Sequence, residues 1–285
     1  MQNRIYYVIR KNMTTINEVK SKTSLVKSKL SEYTINPYLG CAHGCKYCYA
    51  AMIMQRWHHK SELWGSFVDV RVNTPLNVEK EIRGKDGISI FISSMCDCYQ
   101  PIEEKYGITR GTLEKLLEHE KNPFAKGLSI TIQTKSALVL RDIDLISQFK
   151  DIEVGITITT LDSKYARLFE PLASSPSERL RTLETLNKRG IKTYAFIGPL
   201  LPSISDSADK IHEILMAVEE VGTKNVIIDK LNYFSNLPNL KDTVKELGLY
   251  NVFETTIESF YPDYLRNNIE IAVKSIKGLN LRIVF

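Results

Sequence analysis

The chain has 285 residues, 43% of them hydrophobic and 25% charged, the composition of an ordinary soluble globular protein with room for one large α/β domain or two small ones. No run approaches the ~20 apolar residues of a membrane span, residues 5–9 are too short for a signal-peptide core, and five cysteines are an odd count for a secreted disulfide framework. The expectation is a cytoplasmic protein with no membrane partner. The net charge of +5 is carried entirely by residues 1–40, where Arg4, Arg10, Lys11, Lys20, Lys22, Lys27 and Lys29 stand against Glu18 and Glu32. Such an arm either tracks phosphates or forms a solvated tail or strap.

From there, strand-then-helix alternation dominates, which points to a parallel sheet with helices outside. A strand over residues 33–37 delivers a loop holding Cys41, Cys45 and Cys48. A helix follows over 49–58, with Trp57, His58 and His59 read as a packed or solvated face, and then a peripheral strand over 67–72. Residues 87–93 form a near-continuous apolar run suited to a strand buried on both faces. It ends in the polar segment 93–101, with Cys96, Asp97 and Cys98 where barrel active sites lie.

Residues 109–120 are an amphipathic helix through Leu113, Leu116 and Leu117. A strand over 128–134 ends at Lys135, a helix covers 140–149, and the next strand covers 153–159. Ser175, Pro176 and Glu178 form a capping box that starts a helix over 177–189, and Gly190 stops it. A strand over 191–197, a helix over 206–221 and a strand over 225–231 complete about six βα units, fewer than the eight of a closed barrel. The expected fold is therefore α/β, a partial (β/α)6 barrel of TIM type. It divides into a basic N-terminal extension (1–30), the barrel (31–232) and a C-terminal extension (233–285). The last holds a short helix over 241–247 and the aromatic residues Phe253, Phe260, Tyr261 and Tyr264, which pack on the barrel or contact substrate.

Three cysteines within eight residues are soft ligands suited to zinc, copper(I) or an iron–sulfur cluster. Three do not fill a tetrahedral structural zinc site unless His43 or a distant residue completes it. A cubane held by three thiolates instead leaves one iron open to a small molecule. On zinc, the chain would be a non-enzymatic nucleic-acid-binding protein using its basic arm.

Cys41, Cys45 and Cys48, with Tyr47 before the last, resemble the signature of radical S-adenosylmethionine (SAM) enzymes. Further segments, namely 33–49, Trp64-Gly65-Ser66-Phe67-Val68-Asp69-Val70, Asp97-x-Tyr99-Gln100-Pro101, Thr134-Lys135-Ser136 with Leu140-Arg141-Asp142, and Ile156-Thr157 through Glu170-Pro171, Ser175-Pro176 and Glu178-Arg179, resemble the spore photoproduct lyase-like branch. The resemblance implies a 4Fe-4S cluster on the three cysteines that cleaves SAM to a 5′-deoxyadenosyl radical. It implies a reductant such as flavodoxin or ferredoxin, with nucleic acid, DNA or RNA, as the leading substrate class and a protein or small molecule as the alternative. Lys135 and Thr157 would bind the SAM carboxylate, and Tyr47 would wall the adenine with Tyr49 behind it. Cys96 would donate hydrogen to a substrate radical or be a small packed residue. The segment Cys96-Asp97-Cys98 departs from the lyase pattern, in which a proline follows the aspartate.

Overall fold

The apolar runs become strands of two sheets. The computed structural model describes residues 4–9, 12–57, 62–123, 127–258 and 261–285. The strands, in chain order, are β1 (Arg4–Ile9), β2 (Asn12–Val19), β3 (Leu25–Lys27), β4 (Tyr33–Ile35), β5 (Tyr38–Leu39), β6 (Phe67–Arg71), β7 (Ser89–Ile92), β8 (Ser129–Thr134), β9 (Ile152–Thr157), β10 (Lys192–Leu200), β11 (Asn225–Lys230) and β12 (Asn280–Ile283). Eight form the main sheet in the order β12-β11-β10-β9-β8-β7-β4-β3. All its described pairings are parallel except β3 on β4. The six expected strands are β4 and β7 to β11, and the sheet gains a strand at each edge. It is a partial barrel.

Its strands alternate rather than burying both faces in apolar contacts. Ile90, Ile92, Ile130, Ile132, Val154, Ile156, Ala195, Ile197, Val226 and Ile228 are buried in one core with helix residues such as Leu113, Leu116, Leu183, Leu186, Ile211 and Leu215. Each such Val, Leu or Ile side chain contributes about 1.5–3 kcal/mol by leaving water. The intervening Phe91, Thr131, Gln133, Glu153, Tyr194, Phe196, Ile227 and Asp229 face a cavity. A period of two thus separates packing from site.

The helix Pro176–Lys188 begins as its sequence predicts, with the Ser175 side chain accepting from the Glu178 N–H and Glu178 reaching back to the Ser175 N–H at 2.6 Å. The single helix expected over 140–149 is instead a 3-10 turn, Ala137–Asp142, followed by a short helix, Ile143–Ile146. The break falls at Asp142, whose buried carboxylate is held by Arg110 at 3.0 Å and Arg141 at 2.8 Å. Helices Pro238–Glu246, Tyr250–Glu258 and Tyr261–Ala272 precede β12. There Phe253 and Tyr261 are buried, while Phe260 lies outside the described residues.

Residues 12–19 do not trail into solvent. β2 pairs antiparallel with β1 and parallel with β6, and β6 pairs with β5, in a second sheet of four strands beside the cysteine loop. Thr14 and Ile16 are buried there. Arg10, Lys11, His58 and His59 lie outside the described residues. No helix among the described residues is long and apolar enough to cross a membrane.

Candidate functional site

β4 and β5 lead into the cysteine loop, and its path depends on glycine. Gly40 has φ +79°, and a Cβ there would sit 2.5 Å from the Phe67 carbonyl oxygen. Gly44 (φ +63°) rests on Gly65 (φ +97°), where a Cβ would come within 2.9 Å of the Gly44 Cα. Only glycine accepts both the positive φ and the close approach. The fully buried Gln100 side chain clamps the first cysteine: its Oε1 accepts from the Ala42 N–H at 2.8 Å and its Nε2 donates to the Gly40 carbonyl at 3.2 Å. Cys41, Cys45 and Cys48 are free thiols, the first two buried and the third half-buried. All three line one cavity of about 610 Å³. Burial pushes the Cys45 thiol up to about 12 against the opposing charge of Lys135, and raises Cys41 and Cys48 too. Among the described residues no three His, Cys, Asp or Glu side chains are gathered closely enough to hold a single metal ion.

Asp97, after β7, ties this loop to the end of β8. Its carboxylate accepts from the Thr134 hydroxyl at 2.6 Å, the Lys135 N–H at 2.8 Å and the Tyr99 N–H at 2.9 Å. The His43 Nδ1 lies 3.4 Å away, within ion-pair range but beyond a well-formed hydrogen bond. Burial alone would raise the Asp97 pKa, but His43, Thr134 and the Lys135 amide hold it well below the ordinary carboxylate range. With its backbone fixed this way, Lys135 lines the cavity, its ammonium 5.8 Å from the centroid of the Tyr47 ring. Burial works against its charge, yet Cys45, Glu170 and Asp97 keep its pKa above the usual lysine value. Among the described residues nothing accepts a hydrogen bond from it.

Thr157, at the end of β9, lines the same cavity and lies 3.4 Å from the Gln133 amide nitrogen. The neighbouring cysteines part ways. Cys96 lines the cavity, its Sγ 3.5 Å from the Ser93 hydroxyl, and burial pushes its pKa up to about 12. Cys98 is fully buried in the main core. The two expected tyrosines also separate. Tyr49 is 41% exposed, lines the cavity and donates its hydroxyl to the Ser94 carbonyl. Tyr47 is 7% exposed and lies outside the cavity lining. Its hydroxyl bonds to Glu170, which in turn pairs with Arg179, a guanidinium 1% exposed.

Two polar networks were not legible as such. Arg179 also donates to the Thr157 carbonyl at 3.1 Å and the Ser174 carbonyl at 2.8 Å, so it braces the end of β9 from behind the cavity. Fully buried Glu103 accepts from Tyr38, from the Thr109 N–H at 2.9 Å and from Arg141 at 2.6 Å. Each joins residues dozens of positions apart, which spacing does not reveal. Deeper in the barrel, the Tyr194 ring covers Gly155, where a Cβ would lie 2.0 Å from its Cζ, and the hydroxyl donates to the Gln133 Oε1 at 3.0 Å.

The family model of the radical SAM superfamily matches residues 35–215. A stretch of 194 residues is 40% identical to an uncharacterized protein of Methanocaldococcus jannaschii, covering 67% of this chain and 70% of that protein. A protein of Acidianus two-tailed virus is 28% identical over 223 residues, 73% of this chain and 70% of its own. Among solved structures, spore photoproduct lyase complexed with dinucleoside spore photoproduct superimposes with a TM-score of 0.66 at 16% identity, over 94% of this chain and 82% of that one. Streptococcus suis SuiB bound to S-adenosylmethionine gives 0.54 at 15% identity, over 88% and 50%. The fold is that of the radical SAM core and is similar to spore photoproduct lyase. With the family match spanning more than half of the sequence and enclosing the cysteine loop, Asp97, Lys135 and Thr157, the chain belongs to the radical SAM superfamily.

Proposed function

We propose that this protein is a radical SAM enzyme that holds a 4Fe-4S cluster on Cys41, Cys45 and Cys48 and uses SAM to abstract hydrogen from a substrate seated in the barrel. The observation that carries the reading is the convergence on one cavity of three free thiols and a lysine that has no hydrogen-bond acceptor among the described residues. The donor set fits the group: a cubane is held at its corners, so its ligands need not crowd around one ion, and three thiolates leave one iron open. A buried indole N–H at Trp64, without an acceptor among the described residues, lies on a side chain lining the same cavity. When bound, the cluster supplies the electron that cleaves SAM to methionine and a 5′-deoxyadenosyl radical.

The chain's own residues bind, orient and exclude water. Lys135 carries a charge toward the SAM carboxylate, and Thr157 offers a hydroxyl to it. Tyr49 walls the adenine from within the cavity, while Tyr47, packed behind Cys45, braces the loop through Glu170 and Arg179. The Cys96 thiol, kept protonated by burial, gives its hydrogen atom to a substrate radical and becomes a thiyl. An external one-electron reductant such as flavodoxin or ferredoxin delivers the electron.

Nucleic acid is the proposed substrate class, a damaged thymine pair being the model case. The similarity to a lyase solved with a dinucleoside lesion supports it, as do exposed Lys20, Lys22, Lys27 and Lys29 near the N-terminus. Anaerobically reconstituted protein tests it. About four irons with matching sulfide and reductive formation of 5′-deoxyadenosine are expected, and stoichiometric zinc without iron sinks the reading. DNA binding should weaken with salt and with Lys20→Glu, Lys22→Glu and Lys29→Glu combined. Formation of 5′-deoxyadenosine without any nucleic-acid binding would move the substrate to a protein or small molecule.

A further inference from the structure

Trp64 has no part in the chemistry proposed so far, yet it is fixed beside the thiols. It is 7% exposed, clusters with Cys41, Ala50, Met54 and Phe67, and lines the cavity that Cys41, Cys45 and Cys48 share. Its neighbour Gly65 rests on Gly44 inside the cysteine loop, and Phe67 closes on Gly40 just before Cys41. The segment 64–67 therefore touches the loop at two points, at Gly44 through the Gly65 backbone and at Gly40 through the Phe67 carbonyl and ring. The Phe67 ring meets the indole edge-on, with centroids 6.1 Å apart. The indole Nε1–H is buried and has no acceptor among the described residues.

A buried donor without a partner is uncommon and costly, and one beside a cofactor site is most simply explained by an acceptor that arrives with the cofactor. Thiolate and sulfide sulfurs are such acceptors, and hydrogen bonds to them help set the potential of an iron–sulfur cluster. We propose that Trp64 donates its Nε1–H to a sulfur of the cluster held by Cys41, Cys45 and Cys48, and so raises its reduction potential. The sign follows from charge: reduction makes the cluster more negative, so a donor stabilises the reduced form more than the oxidised one. Trp64 is thus a tuning residue rather than a catalytic one. The inference rests on the cluster reading above.

The test is a redox titration of anaerobically reconstituted full-length protein, wild type against Trp64→Phe, followed by electron paramagnetic resonance without SAM. Both proteins should take up iron and sulfide equally. The variant should be harder to reduce, its equilibrium shifted about tenfold, or ~59 mV lower for one electron. Without the cluster, the variant should melt at the same temperature as wild type or higher, because a buried unsatisfied donor has been removed. A merely structural tryptophan would lower the melting temperature and leave the potential alone, and that pattern overturns the proposal.

A second measurement leaves Trp64 in place and so does not depend on the Trp64 variant folding. The chain has two tryptophans, so ¹⁵N-indole labelling of Trp57→Phe protein leaves Trp64 as the sole labelled ring. A ¹⁵N coupling to the reduced cluster is expected, and its absence overturns the donor role. Wild type that takes up no iron and sulfide defeats the cluster reading itself, before either comparison is made.

Discussion

At the scale of single residues, Asp97 shows how one buried carboxylate holds three pieces of chain in place. It joins its own loop to the end of β8 through Thr134 and Lys135, and meets the cysteine loop at His43. Because its folded pKa is depressed, its contribution is present above the unfolded carboxylate value, near ~3.9, and is lost as pH falls through the folded pKa. Asp97→Asn should therefore cost about 2–4 kcal/mol at pH 7. Urea melts should show the gap to wild type narrowing as pH drops below about 4; a gap independent of pH would refute this account. The Arg179–Glu170 pair makes a similar case, for although burial alone would raise the Glu170 pKa, Arg179 and Lys135 hold it below the ordinary value, so its contribution too fades in acid. Arg179→Met strands a carboxylate among buried neighbours and should cost about 3–5 kcal/mol, part of which a second change, Glu170→Gln, restores. If the double variant is no more stable than the single, the stranded charge is not the cause.

At the scale of elements, legibility followed how local the determinant is. The helix Pro176–Lys188 could be read because its start signal is complete within four residues, and Ser175→Ala should cost about 1 kcal/mol in a thermal melt. The helix expected over 140–149 was misread because Asp142 looks like a helix residue until Arg110 and Arg141 are seen to hold it. Strand faces were half legible. The aliphatic side of β7 to β11 stood out in the sequence, whereas the mixed side, with Gln133, Glu153, Tyr194 and Asp229, resembles ordinary surface until the sheet curls around it. Gly155 belongs to that second class. In sequence it is one more glycine in a strand, and in the fold it makes room for the Tyr194 ring. Gly155→Ala should displace that ring and cost about 1–3 kcal/mol. Loss of the Tyr194–Gln133 hydrogen bond in a crystal structure of the variant would check it.

At the scale of the whole molecule, the parallel barrel and the cysteine loop were legible because both are written in local pattern: apolar runs at regular intervals and a spacing of three thiols. The edge strands β3 and β12 were not, since three and four residues are too few to carry a periodic signal. The assembled cavity also makes a ligand prediction. SAM at a hundredfold over its Kd should stabilise cluster-loaded protein by about 2.7 kcal/mol, seen as a rise in Tm. The same addition should leave Cys41→Ser protein unmoved, and an equal rise in both would place SAM away from the cysteine loop.

β3 and β12 are the two ends of the main sheet, and Leu30, just past the first, lines the same cavity as Arg282 and Val284 at the second. The wall of the cavity is therefore shared by residues at the two strands that lie furthest apart in the sheet. Removing residues 280–285 should open that wall and weaken SAM binding to cluster-loaded protein, as calorimetry would show.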